Sequence, residues 1–195
     1  MRQGGHCART GEKNCKCIHP KPQISPLQVN LQAVVRKLFT DHAVITAFAI
    51  KSIVDDGGDA DAILVPRLMQ NQKEIGDALK PIIGEANGNL VTQVLSQHID
   101  LAGQTAKAAK RNDPDIETFK ANLLTQGDDV AEVLTSLNPD KLPYAETQPM
   151  FRMHNQFVID MTVARLQKRF ADEQRLYDAY YAEMLEMSDA IVAAL

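Results

Sequence analysis

The chain has 195 residues, 45% of them hydrophobic and 24% charged, with a mean hydropathy of −0.23. That apolar content supports one ordinary core and predicts a single globular domain, excluding collagen-like and intrinsically unfolded chains. A net charge of −4 and a pI of about 5.7 exclude a surface built throughout to hold nucleic acid.

From Met1 to about Gln28 the chain is polar, with Gly4, Gly5 and Gly11 followed by Pro20, Pro22 and Pro26, and it reads as an extended N-terminal arm (residues 1–28). Arg2, Arg9, Lys13, Lys16 and Lys21 against Glu12 give this arm a charge of +4 and leave −8 for the body, residues 29–195. All three cysteines, Cys7, Cys15 and Cys17, lie in the arm and cannot all pair within one chain, so a reducing compartment is expected. No stretch there resembles a signal peptide, and the longest apolar run, Ala43 to Ile50, is too short to span a membrane. An intracellular protein without a membrane partner is the expectation.

Apolar residues then recur at helical spacing, and a first helix is predicted over Val29 to Val54, ended by Asp55-Asp56-Gly57-Gly58-Asp59. A second runs from about Asp61 to Leu79, with Pro66 in its first turns and Pro81 and Gly84 closing it. A third covers about Asn87 to Arg111, and a fourth, with Pro114 in its first turn, reaches Leu137 before Asn138-Pro139. Asp140 to Pro149 reads as a connecting loop. Met150 to Leu195 contains neither Gly nor Pro, and no run alternates as a strand would.

Self-similarity organises these elements. His42, His98 and His154 are each separated by 56 residues, and each follows bulky apolar residues at three and four positions earlier: Leu38-Phe39, Val94-Leu95 and Met150-Phe151. The unit is a helical hairpin of about 56 residues, three of which give about six helices. The same step carries the turn at Asn112 to Lys168, so a reversal is expected near Arg169 to Glu173. The fold class is therefore all-α: three sequential helical hairpins behind the arm.

Two readings of the histidines stay open. Around a common axis, three imidazoles would converge as the ligand set of an open zinc, iron or copper site. Glu74, Asp77, Asp129, Glu132 and Asp189 are then candidate acceptors for the outer ring nitrogens, or a fourth ligand, and Arg67, Asn71 and Gln72 candidates to line a polar pocket. Stacked in line, the hairpins would keep the rings apart, each a polar residue satisfied at a helix interface. The arm offers a second set, His6, Cys7, Cys15, Cys17 and His19, sufficient for four-coordinate zinc but cramped by the single residue between Cys15 and Cys17. Tyr177, Tyr180 and Tyr181 should pack on the last helix with their hydroxyls at the surface.

Asp41-His42, the segment Arg67-Leu68-Met69-Gln70-Asn71-Gln72-Lys73-Glu74-Ile75-Gly76, His98-Ile99, Asn138-Pro139 and Met150 to His154 together carry a family likeness. The pattern, over about residues 29–195, resembles a poorly characterised group of small all-helical proteins shared by spore-forming bacteria and large DNA viruses of amoebae, the marseillevirus-like group. The resemblance implies a histidine at each of the three helix positions and a bacterial or viral intracellular setting, host cytoplasm or nucleus if viral. It implies no reaction. This chain lacks the tryptophan-rich first helix and the extended C-terminal tail of the bacterial members.

The functional expectation is a non-enzymatic binding or interaction protein, with a protein partner or a second copy of itself, whose bundle holds a divalent transition metal (zinc or iron) or a small ligand through His42, His98 and His154. The alternatives are a metal-dependent hydrolase or oxygen-handling enzyme at the same triad and a nucleic-acid accessory protein acting through the arm.

Overall fold

The structure is a computed structural model that describes residues 26–195, with side chains from Val29 onward. The described residues form six α-helices and no strand: α1 (Pro26–Val54), α2 (Val65–Ile83), α3 (Glu85–Lys110), α4 (Ile116–Leu137), α5 (Tyr144–Leu166) and α6 (Phe170–Ala194). Short connections reverse the chain each time, so α1, α3 and α5 run one way and α2, α4 and α6 the other. Each helix packs on its successor and α6 returns to α1, closing a ring, while α1, α3 and α5 also touch one another. The odd-numbered helices thus form an inner trio and the even-numbered ones fill the grooves between them. None of the helices is long and apolar enough to cross a membrane.

Three of the turns share one construction. Asp56, Asn112 and Lys168 adopt positive φ of 59°, 51° and 57°, following α1, α3 and α5. The next residue in each case donates its backbone N–H back to a carbonyl five residues earlier: Gly57 to Ser52, Asp113 to Ala108 and Arg169 to Ala164, at 2.9, 3.0 and 2.8 Å. These are the six-to-one bonds of Schellman caps, which satisfy carbonyls left over at a helix C-terminus. The reversal expected near Arg169 therefore falls at Gln167–Arg169.

Several boundaries move for local reasons. α1 begins at Pro26, a residue whose missing N–H is harmless in a first turn. The second helix is preceded by a π-helical turn, Ala60–Leu64, where Leu64 donates to Asp59 five residues back; Pro66 offers no N–H, and the wider turn avoids needing it. Pro81 lies inside α2, which continues to Ile83 and ends at Gly84, φ 83°. The expected loop before Met150 is mostly helix: α5 starts at Tyr144 behind an extended Pro143 and carries Pro149 within it.

The main core joins all six helices, from Val35, Phe39 and Ala43 through Leu79, Val91, Val130 and Phe151 to Tyr180 and Met187. Glycine allows two of the closest helix approaches. A Cβ at Gly76 would overlap Thr92 Oγ1 and lie 2.6 Å from the Gly88 carbonyl oxygen, and one at Gly127 would lie 2.8 Å from Asn155 Nδ2. Amide side chains clamp neighbouring helices: Asn71 donates to Leu38 O, Gln126 to Val94 O and Asn155 to Leu123 O, at 3.0, 2.7 and 2.6 Å.

Candidate metal centre

His42, His98 and His154 stand at matching heights on α1, α3 and α5, and the inner trio brings them together at the centre of the bundle. Ring centroids are 6.2 Å apart for His42–His98, 5.9 Å for His42–His154 and 5.3 Å for His98–His154. One nitrogen from each ring lies within 4.8 Å of the others, and all three residues are buried. These three histidines can hold a metal ion. A tetrahedral ion about 2 Å from each nitrogen sets them about 3.3 Å apart, so seating one draws the rings inward by no more than about an ångström.

Behind each ring stands a polar side chain from the next helix. Gln72 Nε2 lies 3.0 Å from His42 Nδ1 and donates also to Leu68 O at 3.0 Å. Gln126 stands beside His98, and Glu183 Oε2 is 3.2 Å from His154 Nδ1. Nδ1 is thus engaged on His42 and His154, which leaves Nε2 as the free nitrogen of those two rings. Tyr180 packs on His154 with centroids 5.1 Å apart.

Burial governs the electrostatics. It pushes the His42 pKa from 6.5 down to about 3, with facing His154 acting in the same direction and Asn71 opposing. His98 is held well below its ordinary value by burial first, then by His154 and His42, against a bond from Gln126. Both rings are neutral at pH 7 and offer lone pairs without proton competition. Burial also raises the Tyr180 hydroxyl far above its usual range, so it stays protonated. Gln126 Oε1, Tyr180 Oη and Glu183 Oε1 are buried without hydrogen-bond partners, which is costly where nothing else compensates.

Two small cavities flank the triad. One, of about 40 Å³, touches all three imidazoles and is otherwise lined, Gln72 apart, by apolar side chains, among them Phe39, Leu95 and Phe151, each three residues before a histidine, and Met184 and Met187. The other, of about 30 Å³, reaches His98 and is bounded by Thr46, Ala102 and Val158, each four residues after a histidine.

The sequence-predicted neighbours fare differently. Asn71 is buried next to Gln72 and close to His42. Arg67, by contrast, pairs with Glu74 at 3.2 Å and reaches Asp41 at 3.7 Å, towards the solvent side. The expected outer carboxylates do not serve the rings. Asp77 pairs with Lys73 and Lys80, Asp129 and Glu132 are exposed, and Asp189 accepts from Gln32 and Arg36. The buried stripe of α2 runs through Leu68, Asn71, Gln72, Ile75 and Leu79, and that of α4 through Leu123, Gln126, Val130 and Leu134, which turns Glu74, Asp77, Asp129 and Glu132 away from the axis. Gln126 and Glu183, which sequence reasoning missed, stand where those carboxylates were expected; their one signal is that Gln72, Gln126 and Glu183 follow their histidines by 30, 28 and 29 residues. Tyr180 is fully buried, hydroxyl included, contrary to expectation, because it closes the core against His154 and Phe157. His6, Cys7, Cys15, Cys17 and His19 lie outside the described residues.

No family model, curated protein or solved structure matches this chain.

Proposed function

We propose that the bundle is a metal-binding protein in which His42, His98 and His154 hold one transition-metal ion, with a fourth position open towards the 40 Å³ cavity. Zinc and iron are the divalent candidates from the sequence, and copper is the third ion that imidazole suits. The observation carrying the reading is that three buried imidazoles meet at one point, each backed by a polar side chain from the next helix. A histidine that donates its outer N–H to a carboxylate is the usual arrangement behind a metal ligand, and Glu183 is placed to accept from His154. At His42, Gln72 Nε2 faces Nδ1 as a donor, so ligation through Nε2, which calls for an Nδ1–H, requires the Gln72 amide to turn and give up its bonds to Leu68 O and Asn71 Oδ1.

The identical 56-residue steps between the histidines and between Asp56, Asn112 and Lys168 support reading the three hairpins as copies of one unit. In this reading the protein works in a reducing intracellular compartment as a binding or interaction protein, in keeping with the family it resembles. A hydrolase is less well supported, because the cavity at the open position has neither a free carboxylate base nor room for a polar substrate. The 3.2 Å contact between His154 and Glu183 favours one rival, a metal-free buried pair that satisfies itself.

Elemental analysis of the tag-free protein, purified without chelator, decides between them. One metal per chain, lost when His42, His98 and His154 are changed to Asn but kept when residues 1–28 are removed, is the expected result. Circular dichroism checks that the variants fold. Loss only with the arm moves the metal to Cys7, Cys15, Cys17 and His19, and absence of metal after incubation with excess zinc, iron and copper overturns the reading.

A further inference from the structure

Charge inside the bundle narrows the choice of ion. Among the described residues Glu183 is the only buried carboxylate, and no Lys or Arg is buried. Ligating imidazoles are neutral, so Glu183 alone among the described buried residues can set a negative charge against the ion, and at most one. One carboxylate is enough to balance a monovalent cation, whereas a divalent one keeps at least one positive charge among aliphatic side chains whatever Glu183 carries, a state that apolar interiors strongly disfavour. Three imidazoles with soft thioethers near by, Met184 and Met187 in the cavity wall, match the ligand preferences of monovalent copper.

The cavity sets the co-ligand. A site of about 40 Å³ has room for about two or three heavy atoms, since one water needs roughly 10–15 Å³ on the same measure. With no Lys, Arg, Asp or Glu in its wall, an apolar chamber of this size favours a neutral ligand over a carboxylate, phosphate or peptide.

We propose that the triad selects Cu(I) and that its open position takes a neutral diatomic molecule. This rests on the metal-binding reading above and concerns binding alone, with no change in oxidation state.

The test uses the full metal-free chain under anaerobic, reducing conditions. Offered equimolar Cu(I) and Zn(II), it retains one copper per chain with at least a tenfold preference. Carbon monoxide then gives a single C–O stretching band at one equivalent, while tert-butyl isocyanide, neutral but far larger, does not bind. Glu183→Gln lowers Cu(I) affinity about 10- to 100-fold. Retention of zinc in preference to copper overturns this proposal and leaves the metal-binding reading standing. Copper without a carbon monoxide band, or with isocyanide binding equally, refutes the diatomic co-ligand. A chain that takes no metal refutes both readings together.

Discussion

Glu183→Gln separates the metal centre from a self-satisfied His154–Glu183 pair, because the two arrangements predict opposite patterns. Glu183 is buried, with Oε2 3.2 Å from His154 Nδ1 and Oε1 without a partner. If the carboxylate serves to hold and polarise a metal ligand, the amide weakens metal binding about 10- to 100-fold, or about 1.4 to 2.7 kcal/mol. The metal-free protein then changes little, within about 1 kcal/mol, because one modest hydrogen bond is traded against removal of a buried acid. If the two residues form a buried ion pair for their own sake, breaking it costs the metal-free protein about 3 to 5 kcal/mol. Urea unfolding of chelator-treated wild type and variant at pH 7.5 gives the metal-free stability, and competition against a chromophoric chelator gives the metal affinity. A metal-free loss of 3 kcal/mol or more with unchanged metal affinity would falsify the assignment of Glu183 to a metal centre.

Three further outcomes follow from the packing and the caps. Gly76→Ala drives a methyl into Thr92 and the Gly88 carbonyl and should cost about 1 to 3 kcal/mol, whereas Gly103→Ala, which meets nothing within 4 Å, should add about 0.5 to 1 kcal/mol; equal effects in urea unfolding would show that the α2–α3 approach is not tight. Lys168→Gly relieves a positive φ of 57° and should raise stability by about 1 kcal/mol, read as a higher urea midpoint at an unchanged slope. Acid should unfold the metal-free protein early. The folded His42 pKa lies near 3 and the unfolded one near 6.5, so its contribution is complete above 6.5 and falls by about 1.4 kcal/mol per pH unit below it, with His98 acting in the same direction. A urea midpoint that stays flat from pH 7.5 to 5.0 contradicts neutral burial of these rings.

Most of the architecture could be read from one dimension because its determinants are local. Apolar stripes of helical period mark α1 to α4, and the turn at Asn112, moved on by 56 residues, locates the break between α5 and α6 where no glycine or proline marks it. The histidines were legible for the same reason: identical spacing places them on equivalent faces of successive hairpins. Their partners were not. Gln72, Gln126 and Glu183 meet the rings only through the packing of each even helix into its groove, and a glutamate on α6 carries no local sign that its helix turns it inward. Glu74 and Asp77 show the converse error, since they stand two and five residues from Gln72, steps that carry a side chain to the opposite face of the helix. Pro81 and Pro149 misled in a third way: each removes one backbone donor near a helix end, a loss the surrounding packing tolerates.

The closure of α6 onto α1 carries a consequence for chain topology. Asp189 near the end of α6 accepts from Gln32 and pairs with Arg36 near the start of α1, so the first and last described helices meet side by side with their outer ends at the same edge of the bundle. The ring has no seam distinguished by its packing. A chain opened at Gly57–Gly58 and bridged between Leu195 and Pro26 preserves every helix-to-helix contact, including the meeting of the three imidazoles. Which hairpin is synthesised first is therefore a matter of genetic order, and the centre belongs to the circle of helices and not to any one of its three segments.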